Sequence, residues 1–208
     1  MSMPDSLETR PMTTPPSALA AIRAETEALG FTMASEADLG PLLALLAASK
    51  PAGRLLELGT GTGFGTAWLL SGMDRSARLT SVEQDAALAA VAHRHLDDDP
   101  RLDLRIMDGE SFLEEAASAG KFDLIFADTW PGKFTHLDIA LALLAPGGLY
   151  LVDDLLPGAT WPEGHGEAVE SLCDKLAQWP GGRFVRIDWG SGLGLLVAAA
   201  DNHADATR

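Results

Sequence analysis

The sequence predicts an α/β protein with a mainly parallel sheet, and three observations carry that reading. Short apolar runs over residues 54–58, 78–83, 102–107, 122–128 and 148–153 alternate with segments of helical period, as repeated βα units do. The first run leads into a glycine-rich turn, Glu57-Leu58-Gly59-Thr60-Gly61-Thr62-Gly63, which opens a helix. The second ends in Glu83, 20 residues after Gly63, a spacing that suits a carboxylate gripping a ribose diol beside a glycine loop.

The remaining elements follow in chain order. Two helices come first, over 17–29 and 36–49, the second apolar at Leu39, Leu42, Leu43, Leu45 and Leu46. Further helices are expected to begin near Phe64, Asp85, Ser111 and Phe134, with Asp85 as an N-cap. A longer helix over 164–178 stops at Pro180-Gly181-Gly182, residues that cannot continue it. Segments 183–188 and 192–199 flank Trp189-Gly190-Ser191 and read as a hairpin. Residues 17–200 form one predicted domain. Residues 1–16, rich in proline and small polar residues, read as a disordered leader, and 201–208 as a polar tail.

Composition excludes several function classes. A chain of 208 residues with 47% hydrophobic content suits one domain with a full core. No apolar run reaches the ~18 residues that span a membrane, and the start lacks the cationic and apolar regions of a signal peptide, so no membrane partner and a cytoplasmic location are expected. The formal net charge of -15 argues against a nucleic-acid partner, which needs clustered Lys and Arg. The single cysteine, Cys173, permits neither a disulfide framework nor a thiolate cluster within the chain and reads as a small buried residue.

The glycine loop selects among cofactors. A dinucleotide turn needs G-x-G-x-x-G, yet the sixth position from Gly59 is Phe64, from Gly61 Thr66 and from Gly63 Trp68. The loop is instead Glu57-x-Gly59-x-Gly61-x-Gly63. Its glycines let the backbone approach a ligand closely, and the charge of Glu57 suits a ligand with ammonium and sulfonium groups and no phosphate. S-adenosylmethionine is such a ligand.

On these residues the chain, over roughly residues 31–199, resembles the class I S-adenosylmethionine-dependent methyltransferases. The resemblance implies a Rossmann-like three-layer sandwich whose mainly parallel seven-stranded sheet ends in an antiparallel C-terminal hairpin. It also implies a cofactor site: Gly59, Thr60, Gly61 and Gly63 cradle the methionine moiety, Glu83 binds the ribose, and Asp108 with Gly109, after the third strand, lies near the adenine.

The second half carries the acceptor chemistry. Phe122-Asp123-Leu124-Ile125-Phe126-Ala127-Asp128 ends in one aspartate, and Leu149-Tyr150-Leu151-Val152-Asp153-Asp154 in two. At the ends of neighbouring strands, about 4.8 Å apart, Asp128 and Asp153 would share a hard cation such as Mg²⁺. Such an ion binds both oxygens of a vicinal diol and lowers the pKa of the hydroxyl to be methylated. This half resembles the catechol O-methyltransferase branch, which has Asp-His-Trp-Lys after strand four and Asp-Asn after strand five. Here these positions are Asp128-Thr129-Trp130 and Asp153-Asp154, while Phe31-Thr32-Met33-Ala34 and Gly40 fit the segment leading into the cofactor site. The resemblance makes Asp128, Asp153 and Asp154 metal ligands, sets Trp130 and Asp128 beside the cofactor, and implies an ortho-diol acceptor and a homodimer.

Two departures stand out: Asp154 replaces the branch's Asn, and Pro131-Gly132 separate Trp130 from Lys133. Lys133, one of four lysines, is the candidate base, with Asp128 beside it, because a desolvated lysine loses its proton readily. His136 is placed one turn after Lys133 on a helix, His165 in a loop bordering the substrate, His93 and His95 in solvent, and His203 in the tail. Trp161 is a candidate pocket wall, and Trp68 belongs to the core. The expected function is metal-assisted O-methyl transfer to a small hydroxylated molecule. The alternatives are a metal-independent methyltransferase and a non-catalytic protein that binds the same cofactor.

Overall fold

Strands that are apolar on both faces build the centre of the molecule. In the computed structural model, residues 14–32, 38–118, 120–158, 161 and 164–200 are described. They form α1 (Leu19–Leu29), α2 (Leu39–Ala48), β1 (Arg54–Leu58), α3 (Phe64–Gly72), β2 (Arg78–Glu83), α4 (Ala86–Leu96), β3 (Leu102–Ile106) and α5 (Gly109–Ala116). There follow β4 (Phe122–Ala127), α6 (Leu137–Ala142), β5 (Leu144–Val152), α7 (His165–Gln178), β6 (Gly182–Ile187) and β7 (Leu193–Ala198). The expectations for residues 1–13, Met33, Ala34 and 201–208, His203 included, lie outside the described residues.

The seven strands make one sheet in the order β3-β2-β1-β4-β5-β7-β6. The first five pair in parallel and β7 runs antiparallel to both β5 and β6. Alternate residues of β1 feed two cores: Leu55 faces the layer of α1 to α4, and Leu56 and Leu58 face that of α5 to α7. Strands buried on both sides must be apolar throughout, which is why their runs stand out in the sequence. The strand order reverses between β1 and β4, and in such sheets ligands bind outside the carboxyl ends of the strands at that point. Glu57, Glu83, Asp128 and Asp153 all lie at those ends.

Several boundaries differ from expectation. The helix expected near Phe134 begins at Leu137, because Trp130 O accepts from the amides of Lys133, Phe134 and Thr135 (3.1, 2.9 and 3.1 Å) and winds a turn first. Within that turn Gly132 has φ 84°, a left-handed geometry that favours glycine. His136 therefore caps α6 instead of riding on it. His165 is the first residue of α7 and no part of a loop. Helix α5 starts two residues early, at Gly109, because Asp108 caps it by accepting from Ser111 N (2.9 Å). His95 is not in solvent: it meets Glu25 Oε1 at 2.7 Å and ties α4 to α1, whereas His93 is exposed. Asp85 caps α4 through the amides of Ala87 and Leu88, Trp68 is buried, and Cys173 is half-buried.

Candidate active site

The glycine loop leaves β1 through three left-handed residues, Gly59 (φ 96°), Gly61 (φ 54°) and Gly63 (φ 98°). Two of them are also sterically obligatory. A Cβ on Gly59 would stand 2.8 Å from Asp128 O, and one on Gly63 2.9 Å from the Ala92 methyl. Gly61 faces the Phe31 ring, which an added Cβ would meet at 3.5 Å, an ordinary contact distance. The loop is braced from α1 by a hydrogen bond between the hydroxyls of Thr26 and Thr62 (2.7 Å). At the end of β2 Glu83 accepts from Gly61 N (2.8 Å) and Asp85 N (2.9 Å), so two backbone donors aim its carboxylate at the loop.

Glu57 lies beneath this loop, not at its surface. It is 1% exposed, and its Oε2 accepts from the hydroxyls of Thr66 and Ser81, each at 2.5 Å. Ser81 also meets Thr60 Oγ1 at 2.5 Å. Burial raises the Glu57 pKa to about 7, against the pull of the two hydroxyls. Its Oε1 is buried with no partner among the described residues and points at Gly65, where a Cβ would stand 2.5 Å away. Glu57 supports the loop from below, a different placement from the ligand-facing acid expected. Asp108 is spent on the cap of α5, and Gly109 packs against the Pro131 ring.

The chemistry on the other side of β4 is organised by Lys133. Its side chain is 4% exposed and donates to the backbone carbonyl of Asp153 at 2.5 Å. The turn that carries it is pinned by Tyr150 on β5, whose hydroxyl donates to Gly132 O at 2.7 Å. Burial lowers the pKa of Lys133, while the charges of Asp154, Asp128 and Asp153 pull it back up. Asp153 is itself 2% exposed, and its Oδ1 accepts from Asp154 N (2.7 Å) and from the Ser191 hydroxyl in the hairpin turn. Burial pushes its carboxyl up as well. Asp154 is exposed and left-handed (φ 59°).

His165 completes the cluster. Its ring lies against Trp161 (centroids 4.6 Å apart), Phe134 (5.2 Å) and Trp130 (6.2 Å). Both ring nitrogens are buried with no hydrogen-bond partner among the described residues. Burial and the positive charge of Lys133 push the imidazole below its ordinary range, against Asp154. A recess of about 240 Å³ between the 130–135 turn and α7 is lined by Trp130, Lys133, Phe134 and Leu172, among others.

Of the expected site residues, the structure gathers Gly59, Thr60, Gly61, Gly63 and Glu83 at the loop, and Lys133, Asp128, Asp153 and Asp154 one strand further. Sequence reasoning underrated His165 and missed Tyr150 and Ser191. Ser191 sat in a turn read only for its shape, and nothing local marks it as a carboxylate partner.

The cradle fits S-adenosylmethionine: glycine backbone that a Cβ would fill, a carboxylate at the end of β2, and a buried carboxyl oxygen beneath. The chain matches a methyltransferase domain family over residues 56–155. The chain belongs to the class I methyltransferase family. It is 31% identical over 144 residues to a catechol O-methyltransferase of Niastella koreensis, covering 66% of this chain and 65% of that protein. A catechol O-methyltransferase of Mycobacterium tuberculosis is 31% identical over 145 residues, 68% of this chain and 66% of its own. The aligned region thus spans just under two thirds of either relative. The O-methyltransferase TomG of Streptomyces achromogenes, solved with S-adenosylmethionine, superposes with a TM-score of 0.79 at 22% identity, covering 91% of this chain and 92% of TomG. These relatives set the chain on the catechol O-methyltransferase-like branch of the methyltransferases.

The divalent ion expected from that branch does not fit the residues present. Among the described residues no three His, Cys, Asp or Glu side chains come together to hold a metal ion. The Asp153 carboxylate accepts through Oδ1 from Ser191 and from Asp154 N, and the Lys133 amine donates to the backbone carbonyl of the same residue. Mg²⁺ demands near-octahedral oxygen ligation, and an ammonium set among the aspartates supplies no ligand oxygen.

Proposed function

We propose that this protein transfers a methyl group from S-adenosylmethionine to an oxygen of a small hydroxylated molecule. The observation that carries the reading is the conjunction of two sites at adjacent strand ends: the glycine cradle with Glu83, and the Lys133 and His165 cluster walled by Trp130, Phe134 and Trp161. When bound, the cofactor supplies a sulfonium methyl, whose carbon bonds the acceptor oxygen as the C–S bond breaks and its electron pair stays on sulfur. Gly59, Thr60, Gly61, Gly63 and Glu83 hold it, and Asp108, Gly109 and Trp130 border it.

The acceptor is small and hydroxylated, with a flat ring favoured by the aromatic walls, and the catechol-named relatives support an ortho-diol as the first choice. Lys133 donates a hydrogen bond to the acceptor oxygen and steadies the negative charge that develops there. His165, neutral at physiological pH and with neither ring nitrogen hydrogen-bonded among the described residues, takes the hydroxyl proton and passes it to water. Asp128 sits between the two sites, against the glycine loop, and with Asp153 and Asp154 sets the charge around Lys133. These roles replace the expectation that Lys133 itself is the base.

The test is labelled-methyl transfer from S-adenosylmethionine to a panel of catechol-like acceptors, run with Mg²⁺ and with a chelator. Labelled product establishes the reading. Tight cofactor binding with no product across the panel would instead favour a non-catalytic protein on the same fold.

A further inference from the structure

We propose that the Lys133 ammonium takes the place of the divalent ion in this site, so that methyl transfer here needs no metal. The inference deepens the methyl-transfer reading above and rests on it. In the sequence comparison with the branch, two residues, Pro131 and Gly132, stand between the tryptophan and the lysine. Their structural effect is specific. Gly132 takes a left-handed turn that only a residue without a side chain fits, since a Cβ there would stand 2.4 Å from the Leu58 methyl. Tyr150 clamps the same turn by its hydroxyl. The turn delivers Lys133 inward, between the ends of β4 and β5, where its amine reaches the carbonyl of Asp153.

A positive charge in that position feels all three aspartates, Asp154, Asp128 and Asp153. One ammonium among three carboxylates lowers their summed charge from -3 to -2, which weakens their pull on a divalent ion. The ligand geometry agrees. Asp153 Oδ1 accepts from Ser191 and from the backbone, which sets the residue as a buried carboxyl beside a buried amine. Ser191 belongs to the turn before β7, and the Asp153 carboxylate is thereby held by the C-terminal hairpin. The branch's Asn at position 154 is an Asp here, and its negative charge is one of the three that act on the inward-turned ammonium. The acceptor oxygen then meets a fixed N–H donor where a metal would have drawn it.

Electron paramagnetic resonance of Mn²⁺ added to the purified full-length protein reads this without turnover. The expected result is an unbroadened free-ion signal at one equivalent per chain, together with chelator-insensitive transfer to the acceptor found in the panel. Lys133→Met is expected to keep affinity for S-adenosylhomocysteine by calorimetry while lowering kcat about 10²–10³-fold, as loss of one preorganised donor does. One Mn²⁺ bound per chain, released by Asp153→Asn, would overturn the inference even if Lys133→Met fails to fold. So would wild-type turnover in a folded Lys133→Met. A chain that binds S-adenosylhomocysteine and Mn²⁺ sinks this inference alone; a chain that binds no S-adenosylhomocysteine sinks the methyl-transfer reading with it.

Discussion

Half-buried His165 and buried Glu57 should respond to pH in opposite ways. For His165 the imidazole must be neutral to accept a proton, and burial and Lys133 hold its pKa below the ordinary value of about 6.5. The rate should rise with pH along an acid limb lying below that value and then level off. Replacing His165 with Ala should lower kcat about 10²–10⁴-fold, abolish that limb and leave cofactor affinity unchanged, read from pH–rate profiles and calorimetry. Glu57 affects stability. Its pKa in the fold, about 7, lies above the ordinary 4.5, so the folded state holds the proton more tightly than the unfolded chain. The resulting stabilisation is complete below about pH 4.5 and is lost as pH rises through 7, amounting to roughly 3 kcal/mol. Glu57→Gln, which stays neutral, should therefore melt above the wild type at pH 8 and match it near pH 5. A gap independent of pH would show that the carboxyl is not the titrating group.

The glycine loop and the C-terminal hairpin are the elements on which the site depends. Gly59 combines a left-handed φ of 96° with 2.8 Å between an added Cβ and the Asp128 carbonyl. Gly59→Ala must strain the loop or push Asp128 aside, at a cost of about 1–3 kcal/mol, and S-adenosylmethionine affinity should fall with it; calorimetric titration of the variant checks this. The hairpin contributes less visibly. It sends Ser191 back to Asp153, so an element at the far end of the chain orients a carboxylate at the end of β5. The loop was legible in the sequence because its glycines, the acid before it and the acid after β2 lie within one βα unit. The hairpin's role was not legible, because the Ser191 and Asp153 partnership spans 38 residues and exists only once β7 pairs with β5.

At the scale of the whole molecule, two apolar layers on one sheet carry the stability. Leu124 in central β4 is fully buried against the α1 to α4 layer. Its replacement by Ala should cost about 2–5 kcal/mol, lowering the melting midpoint by roughly 5–15 °C for a chain of this size, while a folded sample keeps its cofactor affinity. The alternation of strands and helices and the mainly parallel sheet follow from local apolar runs, turn residues and caps, and the sequence by itself determined these, together with the glycine loop and Glu83; the order of the strands was decided by the folded sheet. It also ended two strands in three aspartates, and the pairing of β4 with β5 makes those ends neighbours. What those aspartates face was decided only by the tertiary structure. A left-handed turn at Gly132, clamped by Tyr150, puts an ammonium among them, and packing closes over Glu57 and around His165. Burial and charge proximity are properties of the assembled layers, and residues that look alike along the chain part ways once water is excluded from one of them.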